Sequence, residues 1–280
     1  MKKLVITGCN GQLGRAINEL LKDNAEYECV NTDVDELDIT DIDAVTKFVG
    51  EVKPYAVINC AAHTAVDKCE TDQDNAFKIN AIGPRNLSIA ASNVGAKMIH
   101  VSTDYVFPGD EEAPRVETDV TGPNTVYGAT KLAGEEFVKQ FSNKYFIIRT
   151  AWLYGDGKNF VKTMLKLSED RDTITVVNDQ FGSPTSASEL AKAIVYLLPT
   201  ENYGLFHGTC EGSCSWAEFA QEIFRLAGKN TVVKPVTTEE YNAPAKRPKY
   251  SILENRMFKL TTEFMFADWH DAIAEYMKQV

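Results

Sequence analysis

The chain opens on the stretch that decides its fold, Leu4-Val5-Ile6-Thr7-Gly8-Cys9-Asn10-Gly11-Gln12-Leu13-Gly14. An apolar strand, a glycine turn and the start of a helix follow one another in it. Glycines at this spacing allow a steep turn, close approach of a pyrophosphate to the backbone, and close packing of helix on strand. An ordinary tight turn is the alternative for the glycines alone. The stretch predicts a dinucleotide site, with these candidate contacts: Gly8, Asn10, Gly11, Gln12, Leu13 and Gly14.

An acidic residue at the end of the next apolar segment supports the dinucleotide site. Asp33 ends that segment, and no Lys or Arg lies between Asp33 and Lys47. A carboxylate at this position accepts both ribose hydroxyls of NAD and repels the additional phosphate of NADP. The pattern therefore predicts NADH as the cofactor. Asp38 and Ile39 are candidates to contact the adenine, although Asp38 is equally interpretable as a solvated loop residue or a helix cap.

Short apolar strands alternate with polar-faced helical segments through the first half of the chain. Strands are predicted at 3–7, 29–33, 56–60, 98–102 and 145–149, and helices at 12–21, 42–49, 75–94 and 126–141. This alternation predicts an α/β fold, a Rossmann-like doubly wound parallel sheet. Ligands of such sheets bind outside the carboxyl ends of the strands.

The alternation of predicted strands and helices becomes irregular after residue 152. Helices are predicted at 159–167, 189–198 and 216–227, and a strand at 173–177. The pairs Ser186/Glu189 and Ser215/Glu218 have capping-box spacing at two of these helix starts. We expect residues 1–151 to form a nucleotide-binding domain and residues 152–280 to form mainly a smaller C-terminal substrate-binding lobe, with some segments returning to the sheet.

Composition excludes several classes of function. The 280 residues are 44% hydrophobic and 25% charged, with a net charge of -11, which opposes binding to nucleic acid or to an anionic membrane surface. No apolar stretch approaches the length of a membrane span, so we expect a cytoplasmic protein. Six cysteines without a CxxC pair and four dispersed histidines predict free thiols and no protein-built metal site.

A candidate catalytic set follows the fourth predicted strand. Thr103 emerges where that strand ends, and Tyr127 and Lys131 lie one helical turn apart on the predicted helix 126–141. A free phenol, with a pKa of about 10, is a poor acid at neutral pH unless a nearby cation stabilises the phenolate. Thr103 can hydrogen-bond a carbonyl oxygen, Tyr127 can donate a proton to it, and Lys131 can supply the cation and bond a nicotinamide ribose. Local loop bonds for Thr103 and a chance helix-surface pair for Tyr127 and Lys131 are the alternatives.

Longer stretches carry a family resemblance. Residues 61–68, 102–107, 127–135 and 178–185, together with Arg247-Pro248-x-Tyr250-Ser251, resemble the dTDP-4-dehydrorhamnose reductases, a family within the extended short-chain dehydrogenase/reductases. The resemblance covers nearly the whole chain. It implies NAD(P)H-dependent reduction of the C4 ketone of dTDP-4-dehydro-L-rhamnose to dTDP-L-rhamnose, a precursor of cell-surface polysaccharide. Similar reductases often accept both nicotinamide cofactors, so NADPH is a second candidate.

The resemblance also assigns roles to residues. It makes Thr103, Tyr127 and Lys131 the catalytic set. Further cofactor contacts would be Ala61, Ala62 and Thr64, and residues near the sugar would be Val66, Asp104, Tyr105 and Trp152. Plain packing remains the alternative for Ala61, Ala62 and Trp152. Arg247 is a candidate for the diphosphate, because a guanidinium can grip two phosphate oxygens at once, with a simple surface charge as the alternative.

Other functions on the same fold stay open. Sugar-nucleotide epimerases and dehydratases share the Tyr/Lys pair, but the dehydratases place Asp-Glu after the Thr, where this chain has Asp104-Tyr105. The regulatory subunit of methionine adenosyltransferase resembles the same reductases and acts by binding a partner. Some family members dimerise through magnesium held by a carboxylate on the first helix. Here that helix has no acid before Glu19, so we predict neither the metal nor an oligomeric state.

Overall fold

The computed structural model describes residues 1–242 and 247–280. Its strands are, in chain order, β1 (Lys2–Thr7), β2 (Tyr27–Thr32), β3 (Ala56–Asn59), β4 (Lys97–Thr103), β5 (Tyr145–Thr150), β6 (Leu153–Tyr154), β7 (Thr173–Val177), β8 (Phe181–Gly182), β9 (Thr185–Ser186), β10 (Gly204–His207), β11 (Cys214–Ser215), β12 (Val232–Val236) and β13 (Tyr250–Ser251). Its α-helices are α1 (Gln12–Leu21), α2 (Ile42–Val52), α3 (Val66–Cys69), α4 (Gln73–Phe77), α5 (Gly83–Asn93), α6 (Val126–Phe141), α7 (Phe160–Asp170), α8 (Ala187–Leu197), α9 (Trp216–Leu226), α10 (Thr238–Tyr241), α11 (Arg256–Thr261) and α12 (Trp269–Met277).

Six parallel strands form the central sheet, in the order β10-β5-β4-β3-β1-β2. The chain runs from β1 outward to β2 and then returns to the other side of β1 for β3. The strand order therefore reverses at β1, and a crevice forms there at the carboxyl ends of the strands. This topology confirms the predicted doubly wound α/β fold.

Alternating side chains of the central sheet pack into two separate hydrophobic cores, one on each face. Leu4 and Ile6 of β1 pack with α1 and α8 on one face, whereas Val5 packs with α2, α5 and α6 on the other. Because both faces are covered, β3 is buried along its whole length, which explains its continuous apolar run.

A second group of elements packs around its own core. Helices α7, α9 and α12 and the β7–β12 pair enclose an aromatic-rich cluster that includes Tyr154, Phe219 and Trp269. Strand β10 instead lies beside β5 in the large sheet. The central sheet therefore includes a strand from beyond residue 152, so a single boundary there does not separate the predicted domain from the predicted lobe. The division into a domain and a lobe stays a prediction.

The predicted helix at 75–94 differs from the structure. It begins two residues earlier, as α4, and a π-helical turn at Lys78–Ile82 separates α4 from α5. Within that turn Asn80 is buried, and its side chain donates to the carbonyl of His63 at 3.1 Å and to the hydroxyl of Thr130 at 3.1 Å. Wide turns of this kind are frequent at functional sites, and here the turn directs an amide toward α6.

One of the two predicted capping boxes is complete. Ser215 and Glu218 exchange both bonds at the start of α9. At the start of α8, Ser186 accepts from the amide of Glu189, but the Glu189 carboxylate bonds Lys192 and the amide of Ala267 instead of returning to the cap. The capping box at α8 is therefore only half formed, because the Glu189 carboxylate bonds Lys192 and the Ala267 amide.

All six cysteines are free thiols, as predicted. Within residues 1–242 and 247–280, no helix combines the length and apolar character needed to cross a lipid bilayer.

Candidate active site

The glycine turn lies at the carboxyl end of β1, between β2 and β3. Gly8 has a φ of +65°, and a Cβ there would lie 2.7 Å from the amide nitrogen of Ala61. A Cβ on Gly14 would lie 2.6 Å from the Gly8 carbonyl oxygen. These two glycines are therefore required by the turn itself and by the packing of α1 on it.

Gly11 has a different environment. It is exposed, and among the described atoms a Cβ there would meet the carbonyl of Gly8 alone, at 3.2 Å. It precedes Gln12, so it provides no side-chain cap for the free amides at the start of α1. An open backbone at a helix N-terminus suits a pyrophosphate, which would approach where a side chain would otherwise project. The residues present thus fit a dinucleotide.

Asp33 lies next to this turn, directly after β2. Its Oδ2 accepts from the amide of Asn10 at 3.1 Å, and its Oδ1 accepts from the amide of Val34 at 2.9 Å. The carboxylate is therefore oriented beside the exposed Asn10, where an adenosine ribose would follow the pyrophosphate.

The remaining predicted contacts near the turn are not equally accessible. Leu13 is buried in the core, so its amide is the group it presents to the turn. The side-chain oxygen of Gln12 is buried and has no hydrogen-bond partner in the described part of the chain. Asp38 accepts bonds from the amide and hydroxyl of Thr40, as a loop residue would, and the Ile39 side chain packs in the core. The structure thus favours the loop interpretation of Asp38.

Ala61, Ala62 and Thr64 follow β3 beside the glycine turn. The Ala61 amide donates to Asn59 Oδ1 at 3.2 Å, and the same oxygen accepts from the Thr7 hydroxyl at 2.7 Å. Asn59 therefore joins the ends of β1 and β3. The two alanines are partly exposed and Thr64 is exposed, so all three are accessible to a ligand.

Thr103 and Tyr127 come together across the ends of β4 and α6. The Thr103 hydroxyl donates to Asp104 Oδ1 at 2.9 Å and accepts from the Tyr105 amide at 3.3 Å. Tyr127 is the second residue of α6, and Thr125 caps that helix. Burial raises the pKa of the Tyr127 phenol, while a hydrogen bond with Thr103 opposes the rise. The phenol therefore keeps its proton at neutral pH.

Lys131 is buried one turn further along α6. Its Nζ donates to the carbonyl of Val101 at 2.6 Å. Burial lowers its pKa to about 8, while the carboxylate of Glu135 and the thiol of Cys60 oppose the decrease. A cation thus persists at neutral pH, although Lys131 is not among the groups that shift the Tyr127 pKa in this arrangement. Stabilisation of the phenolate by Lys131 stays a prediction.

Asp104 contacts Thr103, and Tyr105 contacts Tyr127. Asp104 is 4% exposed, and in residues 1–242 and 247–280 its Oδ2 has no hydrogen-bond partner. Burial raises its pKa to about 6, opposed by bonds with Ser251 and Thr103. The Tyr105 ring meets the Tyr127 ring edge to face, with centroids 5.4 Å apart. Val66 is partly exposed at the start of α3.

Trp152 lies just after β5 in an unusual conformation. Its φ is +49°, which is uncommon for a bulky residue and marks local strain. Its indole stacks on Trp216 with centroids 3.5 Å apart and planes at 8°, and a Cβ on Gly182 would lie 2.4 Å from the indole. The ring is therefore held between Trp216 and Gly182, close to the carboxyl end of β5.

Arg247 forms an ion pair with a residue of α3. Its Nη2 lies 2.8 Å from Oδ2 of Asp67 on α3. Both charges affect the Tyr105 pKa, with Arg247 lowering it and Asp67 raising it, so the pair lies beside the predicted sugar site. Sequence reasoning missed Trp216 as the partner of Trp152, since no spacing links them, and it left Asp67 without a role.

Basic side chains on and near the first helix pair with Asp156. Arg15 lies 2.9 Å from Asp156, and Lys162 lies 3.0 Å from the same carboxylate. In the described residues, no group of three or more His, Cys, Asp or Glu side chains is placed to hold a metal ion.

Comparison with known proteins agrees with this arrangement. The family model described as the RmlD substrate binding domain matches residues 1–280. A dTDP-4-dehydrorhamnose reductase of Aggregatibacter actinomycetemcomitans is 39% identical over 98% of this chain and 97% of its own length. The chain belongs to the dTDP-4-dehydrorhamnose reductase family.

Solved structures of this reductase family superpose closely on the chain. A dTDP-4-dehydrorhamnose reductase of Clostridium acetobutylicum is 54% identical, with a TM-score of 0.97 and 99% of each chain covered. A Bacillus anthracis dTDP-4-dehydrorhamnose reductase in complex with NADP is 46% identical, with a TM-score of 0.98 and 100% of each chain covered. The family confirms the resemblance seen in the sequence, including its span over both lobes.

Proposed function

We propose that this chain catalyses the reduction of the C4 ketone of dTDP-4-dehydro-L-rhamnose to dTDP-L-rhamnose, using NADH or NADPH. The observation that supports the proposal is the proximity of Thr103 to Tyr127, since Thr103 opposes the rise that burial causes in the Tyr127 pKa, in a member of this family. A hydride donor and a proton donor would then meet at one carbonyl group.

The chain's own residues bind and orient the reactants. The backbone around Gly11 and the start of α1 would hold the pyrophosphate, and Asp33 the adenosine ribose. The nicotinamide cofactor supplies the hydride when it is bound. Thr103, turning its hydroxyl from Asp104, and Tyr127 would donate hydrogen bonds to the C4 oxygen, and Tyr127 would transfer its proton as negative charge develops there. Lys131 would then stabilise the phenolate.

The substrate would lie between the lobes. Trp152, Val66 and Tyr105 would contact the sugar, while Asp104 would accept from a sugar hydroxyl through its Oδ2. Arg247 would bind the diphosphate, exchanging the Asp67 carboxylate for phosphate oxygens.

Cofactor preference rests on Asp33. Its carboxylate lies beside the Asn10 amide, and negative charge there disfavours a 2′-phosphate. We therefore propose NADH as the preferred cofactor, with NADPH accepted. The partner is a small dTDP-sugar, and a cytoplasmic location, where reduced nicotinamide cofactors are available, is part of the proposal.

Turnover assays test the proposal directly. Purified protein is mixed with dTDP-4-dehydrorhamnose and NADH or NADPH, nicotinamide absorbance is followed, and the sugar product is identified by NMR. We expect stoichiometric oxidation of the cofactor and formation of dTDP-L-rhamnose. An epimerase or dehydratase would regenerate its cofactor. A failure to oxidise either cofactor would favour the regulatory-subunit alternative.

A further inference from the structure

Glu135 is a buried carboxylate that the proposed reaction does not yet use. It lies on α6, one turn after Lys131 and two turns after Tyr127, and its exposed fraction is 0%. Carboxylates are almost never fully buried unless they are paired. Its partners therefore define what it does.

Three hydrogen bonds from described residues hold the Glu135 carboxylate. Ser102 donates to Oε1 at 2.6 Å, while Arg149 donates from Nε to Oε1 at 2.9 Å and from Nη2 to Oε2 at 2.7 Å. Ser102 and Arg149 are neighbours across β4 and β5. A bidentate guanidinium pair of this kind is strong and geometrically specific. Glu135 thereby ties α6 to both strands.

The same strand segment also holds Lys131. The Val101 carbonyl accepts from Lys131, and the next residue, Ser102, bonds Glu135. Thr103 follows directly and contacts Tyr127. Residues 101–103 of β4 thus contact three side chains that lie at successive turns of α6, so the position of Glu135 affects how Tyr127 faces Thr103.

Charge gives Glu135 a second effect on Lys131. The titratable groups that face Lys131 are Cys60 at the end of β3, His100 on β4 and Glu135 on α6. Burial keeps His100 neutral and raises the Cys60 pKa to about 12, so both are uncharged at neutral pH. Glu135 is then the anion that balances the Lys131 cation in a buried region that also contains Arg149.

We propose that Glu135 is a positioning residue for the reduction: fixed by Ser102 and Arg149, its carboxylate keeps Lys131 charged and holds the Tyr127 end of α6 against Thr103. This inference rests on the proposed function. Glu135 acts through Lys131 and does not touch the substrate. A purely structural ion pair between α6 and β5 is the alternative.

The test separates the effect of the Glu135 charge from the effect of its side-chain length. Glu135→Gln removes the charge and keeps the size, whereas Glu135→Asp keeps the charge and shortens the side chain. Glu136→Gln is the matched control, because the neighbouring Glu136 has a 63% exposed side chain and pairs with Lys139 on the surface. For each variant, kcat/KM with dTDP-4-dehydrorhamnose is measured against pH, and folding is checked by thermal unfolding.

We expect the alkaline decline of kcat/KM to move to lower pH by about one unit or more in Glu135→Gln, since a nearby opposite charge favours the charged amine. In Glu135→Asp the decline should stay in place while kcat falls, and Glu136→Gln should match the wild type. A folded Glu135→Gln with an unmoved decline would overturn the proposal, whatever its overall activity.

If Glu135→Gln does not fold, Ser102→Ala carries the test. It removes one bond to the carboxylate and leaves both charges. We expect kcat/KM to fall severalfold with the alkaline decline unmoved, and an unchanged kcat/KM would overturn the positioning role. Absence of turnover in the wild type would remove the proposed function and this inference together, whereas wild-type turnover with unaffected variants would remove this inference alone.

Discussion

At the scale of single residues, the proposed reaction requires a phenol that keeps its proton until hydride arrives. Burial raises the Tyr127 pKa, and the neighbouring Thr103 opposes the rise. Tyr127→Phe removes the proton and preserves the ring. General acid catalysis contributes about 10²–10⁴-fold, so we expect kcat to fall by that order while NADH affinity stays nearly unchanged. Steady-state kinetics and cofactor titration measure both.

A matched tyrosine provides the control for that substitution. Tyr241→Phe changes an exposed tyrosine on α10, and its turnover should equal that of the wild type. Near-normal turnover in Tyr127→Phe would show that another group supplies the proton.

The pH dependence follows from Lys131. Its pKa is lowered to about 8 by burial, whereas the Tyr127 pKa is raised. As pH rises through about 8, Lys131 loses its charge before the phenol loses its proton. We therefore expect kcat/KM to decline on the alkaline side near that pH, and a pH profile of the wild type checks this. A profile that stays flat up to the pKa of an ordinary lysine would contradict the role of Lys131.

We expect Asp33 to influence the choice between the two nicotinamide cofactors. Asp33→Ser removes ribose bonds and the repulsion of a 2′-phosphate, so NADH should bind more weakly and NADPH should gain relative to it. The measurement is the ratio of kcat/KM for the two cofactors. Asp35→Ser, at an exposed position two residues further on, should leave the ratio unchanged. A ratio that does not move toward NADPH in Asp33→Ser would exclude Asp33 as the ribose ligand.

At the scale of elements, the close contact between α6 and the π-helical turn positions the catalytic helix. A Cβ on Gly134 would lie 2.3 Å from the Asn80 carbonyl oxygen, so the two backbones touch there. Gly134→Ala must push them apart, and overpacking of this kind costs about 1–3 kcal/mol. Chemical denaturation should show a loss of that order in the free energy of unfolding.

Gly50→Ala is the corresponding control on α2. Within the described residues a Cβ there meets nothing inside 4 Å, so the substitution should raise the free energy of unfolding by about 0.5–1 kcal/mol. Equal effects from both substitutions would show that the α6 contact can relax without cost.

At the scale of the whole molecule, the proposed substrate site combines groups that are distant in the sequence. Arg247 forms an ion pair with Asp67 on α3. Arg247→Lys keeps the charge but loses the bidentate grip on a diphosphate. We expect KM for the sugar nucleotide to rise by about tenfold, roughly 1.4 kcal/mol, while KM for NADH stays unchanged.

Arg225→Lys tests whether that effect is specific. Arg225 also makes a bidentate pair, with Glu222, but it lies exposed on α9. Its substitution should leave both KM values unchanged. If the KM for the sugar nucleotide is unchanged in Arg247→Lys, Arg247 does not bind the diphosphate and is a simple surface charge.

Features that depend on local pattern were predictable from the sequence. Continuous apolar strands such as β3, the glycine turn before α1 and the spacing of Tyr127 and Lys131 all act over a few residues, so the α/β class and a candidate catalytic set were predictable from it. The bounds of α1, α6 and β7 were predicted to the residue.

Contacts between distant groups became visible only in the folded structure. It placed Trp216 on Trp152, Asp67 against Arg247, and β10 beside β5, and it turned the predicted single helix into α4 and α5 around the π-helical turn at Asn80. In the same structure Ile39 is buried in the core, and the Glu189 carboxylate accepts from the Ala267 amide instead of completing the capping box of α8. The physical reason is that pairing across long stretches of chain follows from how packed surfaces fit together, and burial then sets the charge state of groups such as Lys131. Neither is encoded in the spacing of neighbouring residues.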